Sequence, residues 1–178
     1  MIDLRPVGYV IGLLVAFLGL SMLIPMALDL GLDNGHAGVF LESAILTVLT
    51  GAFLAIACAN SVEGGIGTRQ TFILTSGVWA VLPLFGALPF LRGATDASIT
   101  DAYFEAMSGL TTTGSTVFSG LDDLPAGLLL WRSMLQWFGG IGIIVVAMVF
   151  LPELRVGGMQ IFRSEAFETD GKVLPRAA

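Results

Sequence analysis

The sequence predicts an all-α integral membrane protein, in which a two-helix hairpin precedes one repeat of span, short helix with loop, and span. Hydrophobic residues make up 55% of the chain and charged residues 12%, a balance that soluble domains do not show. Four stretches with almost no charge approach the roughly 20 residues that a transmembrane helix needs. These stretches are residues 7–28, 43–62, 70–91 and 133–151.

The first two spans predict the hairpin. Residues 7–28 exceed the roughly 7 to 15 apolar residues of a secretory signal core, so we interpret them as a retained span rather than a cleaved signal. A short acidic turn through Asp29 and Asp33 connects them to residues 43–62. Glu42, just outside the second span, is expected to be an interfacial carboxylate in contact with water.

Several function classes find no support in the composition. The net charge of −6 argues against nucleic-acid binding, because no basic stripe could neutralise phosphates. Cys58 is the only cysteine, which excludes a disulfide framework or a cysteine metal cluster and favours a small buried side chain. His36 lies in a turn-like connection. No nucleophile, base and orienting group recur at a usable spacing, so we predict no enzyme and no covalently bound cofactor.

The distribution of basic residues predicts the orientation in the membrane, because Lys and Arg near helix ends stay on the cytoplasmic side. With four spans, both termini lie on one side, and six of the eight basic residues fall there. We therefore place both ends in the cytoplasm. The residues on that side are Arg5, Arg69, Arg155, Arg163, Lys172 and Arg176, and those on the other are Arg92 and Arg132.

A short amphipathic helix is predicted over residues 99–110, after the candidate caps Asp96 and Ser98. Its length of about 18 Å lets it enter a membrane without crossing it. The pattern predicts one apolar face and one polar face. The apolar face comprises Ile99, Tyr103, Met107 and Leu110, and the polar face comprises Asp101 and Glu105.

The hydroxyl-rich run 111–116, Thr-Thr-Thr-Gly-Ser-Thr, is the candidate site. By composition alone it could be an ordinary surface loop. Between a short helix and a span it predicts a pore loop, because irregular backbone at membrane depth must be buried in protein or face a water-filled cavity. Rings of backbone carbonyls can replace the hydration shell of a monovalent cation, and the negative C-terminal end of the short helix favours a cation there.

Two features flank this run. Asp122 and Asp123 either raise the local cation concentration at the outer mouth or are solvated loop acids. The last span begins near residue 128, where Trp131 and Trp137 predict an aromatic belt. Arg132 can extend to the headgroups or pair with an outer acid. Small residues in this span, Gly139, Gly140 and Gly142, favour close helix packing over a gating hinge.

These motifs together carry a family resemblance. The run 111–116, the stretch Trp-Arg-Ser-Met-Leu-Gln-Trp-Phe-Gly-Gly-Ile-Gly at 131–142 and the stretch 154–165 resemble the bacterial TrkH potassium-uptake subunits of the Trk/Ktr/HKT superfamily. The resemblance implies a potassium-channel-like fold and passive, selective conduction of potassium, which is the substrate. It also implies an inner-membrane location, a homodimer and a cytoplasmic nucleotide-binding regulatory subunit of the TrkA type.

The same resemblance identifies the ion-binding residues. The backbone carbonyls of the run are expected to coordinate dehydrated potassium ions. The expected selectivity-filter residues are Thr111, Thr112, Thr113, Gly114 and Ser115, with potassium expected at Thr112, Thr113 and Gly114.

One departure from the family pattern concerns the number of repeats. Family members carry four span–pore–span repeats around one pore, whereas this chain divides into a hairpin (1–65), a single repeat (66–151) and a cytoplasmic extension (152–178). We therefore expect a fragment that holds one quarter of the pore and needs the remaining repeats as partners. A homotetramer of single repeats is the geometric alternative, and a non-conducting membrane scaffold is the alternative function.

Overall fold

The computed structural model describes residues 3–59 and 67–150, and the regular structure in these ranges is helical. Four helical segments are long and apolar enough to cross a membrane: Arg5–Gly31, Ala37–Cys58, Arg69–Arg92 and Ala126–Val146. The all-α membrane fold predicted from the sequence is therefore confirmed. The helices are α1 (Arg5–Ser21), α2 (Leu23–Gly31), α3 (Ala37–Cys58), α4 (Thr68–Gly86), α5 (Leu88–Arg92), α6 (Ile99–Leu110) and α7 (Ala126–Phe150), with a short 3-10 helix at Leu121–Asp123.

The hairpin forms because small residues let α1 and α3 approach closely. A Cβ on Gly12 would lie 2.5 Å from the backbone nitrogen of Ala55. A Cβ on Gly51 would clash with the backbone nitrogen of Ala16. Small residues at helix contacts are the usual means of close packing in membranes, where lipid offers no hydrophobic drive for association. The two helices therefore pack backbone to backbone.

Asp29 corrects the predicted acidic turn. It lies in α2 and is completely buried. Its Oδ1 accepts hydrogen bonds from the backbone N–H of Gly127 at 2.8 Å and from Nδ2 of Asn34 at 2.6 Å. Gly127 is in the first turn of α7, where backbone N–H groups lack partners within the helix. Asp29 therefore caps a helix that begins far away in sequence, which hydropathy alone could not indicate.

The second span also begins earlier than predicted, at Ala37 rather than at residue 43. Glu42 lies on the helix surface, where one exposed carboxylate does not interrupt the backbone hydrogen bonds. Its side chain is 70% exposed and pairs with Arg92 at 3.1 Å. Glu42 therefore lies at the surface of the described chain, and its contact with water stays a prediction.

The third span consists of α4 and α5, which meet at Ala87. Pro83 lies inside α4 and Pro89 in the first turn of α5, where a missing N–H is tolerated. The break leaves the carbonyl of Gly86 free to accept a bond from elsewhere in the fold.

Trp131 donates that hydrogen bond. It is therefore buried and does not belong to the predicted aromatic belt at the membrane interface. Its side chain is completely buried, and Nε1 donates to the carbonyl oxygen of Gly86 at 2.9 Å. A buried indole N–H usually finds such a partner. Trp137, by contrast, is 67% exposed. Trp131 belongs to the main apolar core, whose other members include Leu18, Met22, Phe40, Phe90, Ala102, Ala106, Leu110, Leu128 and Leu135.

The chain divides into two units, Met1–Gly142 and Ile143–Ala178. Of the second unit, the described residues are the end of α7. The predicted cytoplasmic extension, 152–178, lies outside the described residues, and so do residues 60–66 between α3 and α4.

Candidate ion-binding site

The short helix α6 has the predicted bounds, Ile99–Leu110. Of the two candidate caps, Ser98 is the one used. Its Oγ accepts the backbone N–H of Asp101 at 3.2 Å, and Oδ2 of Asp101 accepts the backbone N–H of Ser98 at 3.3 Å. This reciprocal pair is a capping box, and it fixes where the helix begins.

The predicted polar face of α6 is wrong at Glu105. Its side chain is 1% exposed and forms an ion pair with Arg132, with Nε and Oε1 separated by 2.5 Å. Ile99, predicted on the apolar face, is 76% exposed. The carboxylate can be buried because α7 supplies a cation to it, and burial without that partner would be very costly.

The C-terminus of α6 closes in a Schellman motif. The N–H of Thr113 donates to the carbonyl of Ser108, and the N–H of Thr112 donates to the carbonyl of Gly109, both at 2.9 Å. These are the two hydrogen bonds of that motif, which usually has glycine at its left-handed position. Here the position is held by Thr112, with φ of 56°. A β-branched residue in this conformation costs on the order of 1–3 kcal/mol and often marks a functional site.

A second positive φ follows at Gly114, at 75°, and the helix anchors the segment on both sides of it. The N–H of Gly114 donates to the carbonyl of Ser108 at 3.3 Å, and Oγ of Ser108 donates to the carbonyl of Ser115 at 2.6 Å. In the described part of the chain, the carbonyls of Thr112, Thr113 and Gly114 accept no hydrogen bond. Those oxygens are therefore available to a ligand.

Beyond Ser115, Glu105 fixes the next two residues. Its Oε2 accepts the hydroxyl of Thr116 at 2.9 Å and the backbone N–H of Val117 at 3.2 Å. Neither Ser108 nor Glu105 was predicted from the sequence to belong to the site. An acid inside a short apolar helix, followed by a lone arginine in the next span, is the signal that could have identified Glu105.

The segment 111–117 runs antiparallel to one face of α7. Cγ2 of Thr112 would lie 4.0 Å from a Cβ on Gly140, and Nε2 of Gln136 would lie 3.6 Å from a Cβ on Gly114. Thr116 reaches Arg132 through Glu105. The α7 residues in this series are spaced by four, which places them on the same side of a helix.

The start of the segment lies deep along α7. A Cβ on Gly139 would clash with the carbonyl oxygen of Leu110, the last residue of α6. Gly139 follows Ala126, the first residue of α7, by about 20 Å of helix at 1.5 Å per residue. Because the apolar part of α7 is 21 residues long, the loop begins beyond the middle of that span. The predicted close packing through small residues holds at Gly139.

The two candidate outer acids lie in the connection back to α7. Asp122 and Asp123 are exposed and belong to the 3-10 helix Leu121–Asp123, which follows Gly120 in a left-handed conformation. Among the described residues, no group of three His, Cys, Asp or Glu side chains could hold a metal ion.

The four membrane-spanning segments define a multi-pass membrane protein. The short helix and the strained loop between the last two segments form a re-entrant loop. The comparison with protein families agrees with this class. The TrkH family model, described as a cation transport protein, matches residues 36–177. This chain belongs to the TrkH family.

The individual relatives are potassium transport proteins. The chain is 41% identical over 177 residues to the Trk system potassium uptake protein TrkH of Halomonas elongata, covering 98% of this chain and 36% of that protein. The Escherichia coli K12 protein of the same name gives the same three values. The crystal structure of the potassium transporter TrkH from Vibrio parahaemolyticus superposes with a TM-score of 0.81 at 38% identity, covering 92% of this chain and 35% of that one. The chain thus spans about a third of the length of these relatives.

Proposed function

We propose that this chain forms part of a potassium uptake pathway across a cell membrane, with residues 111–115 as its share of the selectivity filter. The observation that carries the proposal is the course of the loop, which starts beyond the middle of α7 and runs back along one face of it. A loop at this depth requires protein or a water-filled cavity around it. The names of the relatives, which are potassium uptake proteins, support the choice of ion.

The chemistry proposed is the replacement of hydration water by backbone oxygen. The carbonyls of Thr112, Thr113 and Gly114 would coordinate dehydrated potassium, with Thr111 and Ser115 at the ends of the filter. The carbonyl of Ser115 accepts one hydrogen bond from Ser108 and keeps a second lone pair for an ion. The C-terminal end of α6 contributes a partial negative charge beside the site.

A single loop can supply one wall of such a filter. Since the chain covers 36% of its relatives, we propose that it contributes one quarter of a pore whose other walls come from three further repeats. Asp122 and Asp123 would concentrate cations at the outer mouth. The proposed setting is the bacterial inner membrane with both termini in the cytoplasm, in a homodimer that binds a nucleotide-binding regulatory subunit of the TrkA type.

Uptake of radioactive rubidium into potassium-starved cells tests the proposal, using the protein that the full reading frame encodes. Gly114→Ala is expected to abolish uptake, because Gly114 has φ of 75° and lies in the filter. Gly120→Ala is the matched control, since Gly120 has a similar φ of 68° but lies outside the filter. Uptake by the Gly114→Ala protein equal to that of the parent would show that the filter assignment is wrong.

Accessibility of single cysteines separates the pore from a non-conducting scaffold. Cysteines introduced at positions 112 to 116, in a chain carrying Cys58→Ala, are treated from outside with a large impermeant thiol reagent. A filter enclosed by neighbouring repeats is expected to resist modification at positions 112 to 114. Rapid modification at every position would favour the scaffold.

A further inference from the structure

We propose that Glu105 is a positioning residue for the filter, and that Arg132 acts on ion selectivity through it. This inference rests on the function proposed above. Glu105 is the one buried acid of α6, and its two carboxylate oxygens bind different elements. Oε2 holds the filter segment at Thr116 and Val117, and Oε1 holds Arg132 of α7.

The two oxygens link the segment after the filter to α7, where α6 also packs against α7 at Gly109 and Leu135. Ser108 fixes the inner part of the loop through backbone and hydroxyl bonds at Thr113, Gly114 and Ser115. Glu105 lies three residues earlier on α6, on the same side of the helix, and fixes the outer part. The carbonyls proposed to bind the ion, at residues 112–114, lie in the part that Ser108 holds and come just before the part that Glu105 holds.

A carboxylate is needed at position 105 because both of its ends must accept hydrogen bonds. Glu105 receives three donors in all, from Arg132, Thr116 and Val117. Bonds to a charged acceptor are stronger and geometrically tighter than neutral ones. A glutamine has a single carbonyl oxygen, so it can serve the filter or Arg132 but not both. Loss of either link frees the residues that directly follow Ser115, and so the end of the filter, to move.

Selectivity depends on the spacing of the filter oxygens, whether through cavity size or through the number and field of coordinating carbonyls. Movement of the segment after Ser115 would change the size of the cavity and the position of the coordinating carbonyls. We therefore expect Glu105 and Arg132 to set the preference for potassium over the smaller sodium ion, without either side chain touching the ion.

The experiment measures rubidium uptake and its inhibition by sodium in cells that express the full-length protein. Glu105→Gln and Arg132→Gln are expected to lower the rubidium-to-sodium preference about tenfold, the size of effect typical for a lost bond to a charged group. The matched control is the exposed pair of Glu42 and Arg92. Glu42→Gln is expected to leave the preference unchanged, because exposed ion pairs contribute little.

Thr116→Val provides a second variant, should the buried substitutions prevent folding. It removes the hydroxyl that donates to Glu105 while keeping the shape of the side chain, and Thr116 is exposed. A reduced preference in this folded protein supports the inference. An unchanged preference in Thr116→Val, or in folded Glu105→Gln, overturns it, even if the amount of protein in the membrane falls.

The Gly114→Ala protein, assayed in the same experiment, distinguishes failure of the positioning role from failure of the filter assignment. If Gly114→Ala abolishes uptake while the Glu105 and Thr116 variants keep the parental preference, the positioning role alone is refuted. If Gly114→Ala transports like the parent, the filter assignment itself fails.

Discussion

Gly139 of α7 lies directly against the carbonyl oxygen of Leu110, the residue with which α6 ends. The space between them holds no side-chain atom, and the obstructing group is backbone, which cannot rotate away. The contact therefore fixes how closely the end of the short helix approaches the following span. It also fixes where along α7 the loop begins.

Gly139→Ala is expected to destabilise the protein by about 1–3 kcal/mol, because an added methyl group in a packed site forces backbone shifts. Gly140→Ala is the control, since its Cβ would meet the nearest side-chain atom, on Thr112, at 4.0 Å. Thermal unfolding in detergent measures the difference. Equal midpoints for the two variants would contradict the contact.

Thr112→Gly is expected to raise stability by about 1 kcal/mol, because glycine adopts the left-handed conformation without a steric penalty. Rubidium uptake is expected to fall at the same time, since the filter loses a residue held in one geometry. Asp96→Gly serves as comparison, because Asp96 also has a positive φ, of 46°, yet aspartate tolerates that region better. A Thr112→Gly protein less stable than its parent would argue against strain at this position.

Asp29→Leu is expected to cost about 1–3 kcal/mol, because it leaves the N–H of Gly127 buried without an acceptor. Asp29→Asn keeps one acceptor oxygen and is expected to cost less. Asp33→Asn, at an exposed position of the same connection, should change nothing measurable. Chemical unfolding of the purified protein in detergent ranks the three, and an order in which Asp33→Asn is the most damaging would refute the capping role.

Trp131→Phe is expected to destabilise the protein by about 1–3 kcal/mol, since the buried carbonyl of Gly86 loses its donor. Trp137→Phe removes the same N–H from a side chain that is 67% exposed and is expected to have little effect. The two midpoints of thermal unfolding should separate clearly. Similar losses in both would indicate that the bond to Gly86 contributes nothing.

The sequence sufficed for features set by local patterns. Hydropathy located the four spans, and the Ser98 cap with its apolar spacing located α6 to the residue. The run 111–116 stood out because hydroxyl residues around one glycine are unusual between a short helix and a span. Each of these signals lies within a few residues of the structure that it predicts.

The sequence was insufficient where a polar side chain finds its partner far along the chain. Asp29 was predicted in an acidic turn, Glu105 on the polar face of the short helix and Trp131 at the membrane interface. Each is buried beside a polar partner on another helix: Gly127, Arg132 and Gly86, respectively. Such pairs depend on the tertiary arrangement, which periodicity does not report.

The long-range cap at Asp29 bears on how this protein could be dissected. A piece that begins after the hairpin would leave the first turn of α7 without its acceptor and remove Leu18, Met22 and Phe40 from the core around Trp131. The hairpin therefore stabilises the N-terminal end of α7 and is a part of the packed fold. The smallest autonomous unit that retains the loop geometry should include it.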